Sequence, residues 1–166
     1  MTQRVLVCLD GYRVEAALDV ARAALAADAA WLLLHVVDTR PLEEAGRALG
    51  GLVGRGPGRD RAARRLRQTV DWTEEDVRLA VGGWLGRTGR VAELMLTRGR
   101  PEREIIRVAE ERGVEVVVVG GGRGLPGRYP GPGPYPLSPV ARFVVDHARC
   151  DVLLLRRYIV ADDRRA

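Results

Sequence analysis

The sequence predicts an α/β fold, a doubly wound five-stranded parallel sheet with helices on both faces. Three observations predict it. Short apolar runs alternate with amphipathic stretches along the chain, the order in which strands and crossover helices follow one another in a parallel sheet. Two of the runs, Trp31 to Val37 and the four valines Val116 to Val119, are apolar at successive rather than alternate positions, as strands covered on both faces are. The valine run then empties directly into glycine at Gly120, where a buried strand meets a turn.

Each element has its own warrant. Val5 to Leu9 reads as the first strand, and after Asp10 and Gly11 the residues Val14, Ala17, Leu18, Ala21 and Leu25 recur at three and four, marking a helix from about Arg13 to Ala27. Trp31 to Val37 is the second strand, apolar apart from His35. Between residues 39 and 58 the pattern lapses into an expected loop, in which Pro41 to Gly51 could form a short helix and the stretch from Val53 is glycine-rich linker. Helical spacing returns from Arg59 to Leu85 through Ala62, Leu66, Val70, Val77, Val81 and Trp84, with a potential cap at Asp71 to Glu74 that would split it in two. Val91 to Thr97 is the third strand, and Pro101 suits the first turn of a helix carrying Ile105, Ile106, Val108 and Ala109. Val114 to Val119 is the fourth strand. Seven glycines and five prolines among residues 120–136 exclude regular structure there. Ser138 then supplies a cap and Pro139 a first-turn proline for a short last helix, and Asp151 to Leu155 closes the sheet.

At 166 residues the chain reads as one domain, residues 1–157, with a charged tail at 158–166. Its 46% hydrophobic and 30% charged residues exclude the disordered regime. All 27 basic residues are Arg, for a net charge of +5, but they are spread among carboxylates and no nucleic-acid reading module accompanies them. Nucleic acid is therefore not an expected partner. Cys8 and Cys150 lie in no CxxC or metal-ligand spacing and are expected to stay reduced. No stretch approaches the roughly 18 apolar residues that span a bilayer, and the apolar run of the first ten residues is short for a signal peptide, so the expected compartment is the cytoplasm, with no membrane partner.

The chemistry gathers where the strands end. Ligands of doubly wound sheets bind beyond the carboxyl ends of the strands, where Asp10, Val36 to Asp38, Arg98 to Arg100 and Gly120 to Gly124 all fall. The glycines expose backbone N–H groups that a phosphate can approach, although they serve equally as a plain strand-to-helix connection. Arg123 is the cation nearest such a phosphate, with Arg98, Arg100 and Arg128 as outer candidates. A chain without Lys has no P-loop lysine, and no metal cluster or pair of carboxylates set for acid–base work stands out. His35, within a buried strand, and His147, near a helix C-terminus, read as structural because no partner nucleophile accompanies either.

Four segments together resemble the universal stress protein family: VLVCLDG near the start, LLLHVVD at the second strand, RGRPEREIIRVAEERGVEVVVVGGGRG, and VARFVVDHARCDVLLLR near the end. The resemblance implies strand order 3-2-1-4-5 in a sandwich like that of the adenine nucleotide alpha hydrolases, and a homodimer formed through the fifth strand. It implies an adenine nucleotide, ATP with Mg or a relative of it, held by Asp10 and Gly11 after the first strand and by the backbone of Val36 and Val37 at adenine. A glycine motif, G-x-x-G, nine residues, then Gly-Ser or Gly-Thr, would wrap ribose and phosphates. Gly121 and Gly124, flanking Arg123, supply its first half.

The second half departs from the pattern. Nine residues after Gly124 stand Pro134 and Tyr135, and nine residues after Gly127 stand Leu137 and Ser138. Alignment from Cys150 puts Ser138 and Pro139 over the Gly-Ser pair, so in every register the second glycine is missing. Two functions follow from the resemblance: a stress-response sensor or regulator that binds an adenine nucleotide and at most hydrolyses ATP slowly, or a relative that has lost ATP and acts through dimerisation or a protein partner.

Overall fold

The structure, a computed structural model, describes residues 2–11, 14–40, 74–120 and 137–155. Five strands form one sheet: β1 (Arg4–Leu9), β2 (Ala30–Asp38), β3 (Ala92–Gly99), β4 (Val116–Gly120) and β5 (Asp151–Leu155). Among the described residues four helices accompany them: α1 (Val14–Ala24), α2 over residues 74–88, α3 (Pro101–Glu111) and α4 (Pro139–His147). The sheet is wholly parallel in the order β3-β2-β1-β4-β5. The sequence expectations for most of residues 39–58, for a helix over 59–73, for the Gly/Pro loop and for the tail lie outside the described residues.

Two cores explain the double winding. On one face Val5, Val7, Leu9, Trp31, Leu33, Val116 and Val118 pack with α1 and α2; on the other Leu6, Leu32, Leu34, Val117 and Val119 pack with α3 and α4. Successive side chains of a strand point to opposite faces, so β4 must be apolar throughout, and each of its four valines is buried. On α2, Val77, Val81 and Trp84 recur at four and three and turn one stripe into the first core.

Several boundaries differ from the sequence expectation. α1 ends at Ala24 and β3 runs on to Gly99. Gly120, expected in the irregular loop, closes β4 in register with Leu155, because the strand's ladder to β5 continues through the glycine backbone. The start of β4 shifts as well. Val114 belongs to the end of α3, not to β4: its N–H donates to the carbonyl of Ala109 (2.9 Å) and that of Gly113 to Glu110 (3.2 Å), with Gly113 at φ 57°. This is a Schellman closure, whose left-handed residue favours glycine. The β-branched Val114 extends the valine run in sequence and hides that closure.

Candidate functional site

The ends of the strands open a crevice around β1. β1 keeps register with β4 only as far as Val7 opposite Val118, although β1 runs on to Leu9 and β4 to Gly120. On its other side β1 stays in register with β2 up to Leu9 opposite His35, and β2 then continues through Val36, Val37 and Asp38 paired with β3. The strand order reverses between β1 and β4, so this is the switch point of the sheet.

Asp10 and Gly11 stand at the mouth of that opening. Asp10 is exposed, and Gly11 turns the chain toward α1 at φ 84°, a conformation in which a side chain is strained. Val36 is half-buried and Val37 buried, so both direct their side chains into protein. Alternate residues of a parallel strand turn their backbone groups to opposite neighbours. Beyond His35, therefore, β2 presents main-chain groups on the side where β1 has ended. Ser138 stands at the same rim, because parallel pairing of β4 and β5 requires α4 to carry the chain back along the sheet. Gly121, Arg123 and Gly124 lie outside the described residues.

Ser138 acts locally as a helix cap. Its Oγ accepts from the Ala141 N–H at 3.1 Å, and Pro139 follows at the first helical position. Both features agree with the sequence reading. They also engage the serine hydroxyl within its own helix, and Pro139 has no N–H to offer a phosphate.

An ion cluster at this rim was not foreseen. The Arg40 guanidinium grips Asp38, Nε to Oδ1 at 2.9 Å and Nη2 to Oδ2 at 2.6 Å, while its Nη1 lies 3.7 Å from Glu102 Oε1 at the start of α3. The Asp-x-Arg spacing gives a local signal for the first contact, but the second depends on β2 and β3 being neighbours. Arg98, an outer candidate for a phosphate, donates Nε to Glu74 Oε1 at 3.0 Å.

The remaining reactive side chains hold structural positions. His147 donates from Nδ1 to the Phe143 carbonyl (2.9 Å) and stacks on that ring at 3.9 Å. His35 is buried and bonds to the carbonyl of Leu9. Burial pushes the Cys8 thiol well above its usual range, which keeps it protonated and a poor nucleophile. Among the described residues no three His, Cys, Asp or Glu side chains are grouped to hold a metal ion, and no helix is long and apolar enough to cross a membrane.

Residues 1–156 match the universal stress protein family. The chain belongs to the universal stress protein family. No curated protein matches it by sequence. Its fold is similar to that of the universal stress protein UspA from Lactobacillus plantarum, at 19% identity and a TM-score of 0.65, over 93% of this chain and 97% of that one. It is also similar to a universal stress protein family protein from Arabidopsis thaliana with AMP bound, at 19% identity and a TM-score of 0.56, over 92% of this chain and 90% of that one. At such identity the likeness is one of fold, and the sheet order of this universal stress protein agrees with the order the resemblance implied.

Proposed function

We propose that this universal stress protein binds an adenine nucleotide at the C-terminal rim of its sheet and serves as a cytoplasmic sensor or regulator of a stress response. The observation that carries the reading is the opening around β1, where the register with β4 ends at Val7 and that with β2 at Leu9, leaving Asp10 and Gly11 at its mouth. A carboxylate at Asp10 accepts hydrogen bonds from ribose hydroxyls or an adenine amine. The main chain of Val36 and Val37 faces adenine, and Gly11 leaves room beside it. By sequence, Gly121, Arg123 and Gly124 take the phosphates. The AMP-bound Arabidopsis relative supports this ligand class.

The nucleotide is held mainly by its adenosine half. Ser138 is engaged in capping α4, and Pro139 offers no donor where a Gly-Ser pair would close on a phosphate chain. ATP, with or without Mg, therefore gains little over AMP. Homodimerisation through β5 fits its place at the sheet edge, where among the described residues it pairs with β4 alone and carries half-buried Val152, Leu153 and Leu154. The same Ser138 and Pro139 geometry favours the second reading, a family member without nucleotide that works through its dimer surface or a protein partner.

Calorimetric titration separates the two. Saturable heat from AMP, with ATP–Mg no tighter, supports the first reading, and silence with AMP, ADP and ATP supports the second. Replacing Ser138 and Pro139 by Gly and Ser is expected to raise ATP affinity several-fold while AMP affinity stays put. Unchanged ATP affinity in that variant would place the defect elsewhere.

A further inference from the structure

The strongest unexplained group in the fold is a buried imidazole. His35 is 3% exposed in a strand whose other side chains on that face, Trp31, Leu33 and Val37, are apolar. A leucine would fill such a position without a polar atom to satisfy. The ring instead brings two nitrogens. Nδ1 donates to the carbonyl of Leu9 at 2.9 Å, and Nε2 is buried with no hydrogen-bond partner among the described residues. An unsatisfied buried polar atom is unfavourable, so the Nδ1 bond must secure something that a leucine cannot.

What it secures is the end of β1. Leu9 is the last residue of that strand, two positions past its last register with β4, and it leads directly into Asp10 and the left-handed Gly11. There the ladder holds β1 from the β2 side alone. The imidazole adds a side-chain tie across the same pair, Leu9 opposite His35. We infer that His35 is a positioning residue: its Nδ1–H fixes the Leu9 carbonyl and thereby sets the direction in which Asp10 leaves the strand toward a bound nucleotide. The inference rests on the nucleotide reading above and adds to it a residue that never touches the ligand.

The chemistry asks for one donor at the place of Nδ1, not for an imidazole. Asparagine meets that need, because its side-chain amide N–H occupies nearly the position of a histidine Nδ1–H. Leucine keeps the apolar volume and removes the donor. A purely structural histidine would change stability in both variants and leave affinity alone at temperatures where each is fully folded.

The test is AMP titration of wild type, His35→Asn and His35→Leu at 25 °C, with thermal unfolding recorded for each. His35→Asn is expected to bind within about threefold of wild type and His35→Leu about tenfold more weakly, the loss of one positioned hydrogen bond. A ring 15N spectrum of wild type is expected to show Nδ1 protonated and Nε2 bare. Equal affinity in all three proteins, or a spectrum with the proton on Nε2, overturns the assignment of His35 alone. A wild-type protein that binds no AMP overturns the nucleotide reading and this one with it. If His35→Leu does not fold, His35→Asn and the spectrum still decide, since a folded His35→Asn with tenfold weaker binding contradicts rescue by the donor.

Discussion

Trp84→Ala is expected to lower the unfolding free energy by about 3–5 kcal/mol, the largest effect of any single truncation in the first core. Trp84 is fully buried and joins three elements. Its ring stacks on Trp31 of β2 with centroids 5.7 Å apart, and its Nε1–H donates to Asp19 Oδ1 of α1 at 2.8 Å. The stack is closed by Arg90, whose guanidinium lies 4.5 Å from the Trp31 ring. Alanine would remove the ring from the cavity, the partner from the Asp19 carboxylate and the support from Trp31 together.

Domains of this kind hold about 5–15 kcal/mol in all, so the loss is a large fraction of the total stability. Trp84→Phe separates the contributions. It keeps most of the buried ring and loses the bond to Asp19, and is expected to fall by about 1–2 kcal/mol. Urea unfolding of the three proteins measures both. A Trp84→Ala midpoint matching wild type would mean that α2 does not hold the first core.

Asp10→Ala is expected to do the opposite, weakening nucleotide binding with little effect on stability. The residue is exposed and lies beyond the last strand register, so its side chain supports no core. A carboxylate that accepts from a bound ribose or adenine loses a charge-assisted hydrogen bond on truncation, about tenfold or more in affinity. Asp10→Asn retains one oxygen acceptor without the charge and should fall between. Titration with AMP, alongside a melting curve for each variant, reads the two effects separately. Unchanged affinity in Asp10→Ala would remove Asp10 from the site.

Much of this architecture was legible in the sequence, and the reasons are local. Val116 to Val119 announces a strand buried on both faces because no other element tolerates four β-branched residues so well. Val77, Val81 and Trp84 announce one face of α2, and Ser138-Pro139 announces the start of α4. The reversal of strand order between β1 and β4 was legible only through the family resemblance, since apolar periodicity does not record which strands are neighbours. Val114 is less legible, because a valine beside a valine run looks like a strand, whereas Gly113 has already turned the chain out of the helix.

The contacts that shape the rim were less legible still. Asp19 and Trp84 meet across 65 residues of sequence, as His35 and Leu9 do across 26, and neither pairing has a local signature. Arg40 reaches Glu102 only because β2 and β3 lie side by side. The burial of His35 fits a structural histidine. Its tie to the strand end that carries Asp10 emerges only from the parallel register.

The central claim is that an adenine nucleotide sits in the opening around β1. Amide chemical-shift mapping of the 15N-labelled protein during titration with AMP tests it most directly. The account predicts saturable shifts concentrated at Asp10, Gly11, Val36, Val37 and Ser138, with Arg4, Ala30 and Asp151 at the opposite rim unmoved. Shifts clustered at that opposite rim, or none at saturating AMP, would contradict it.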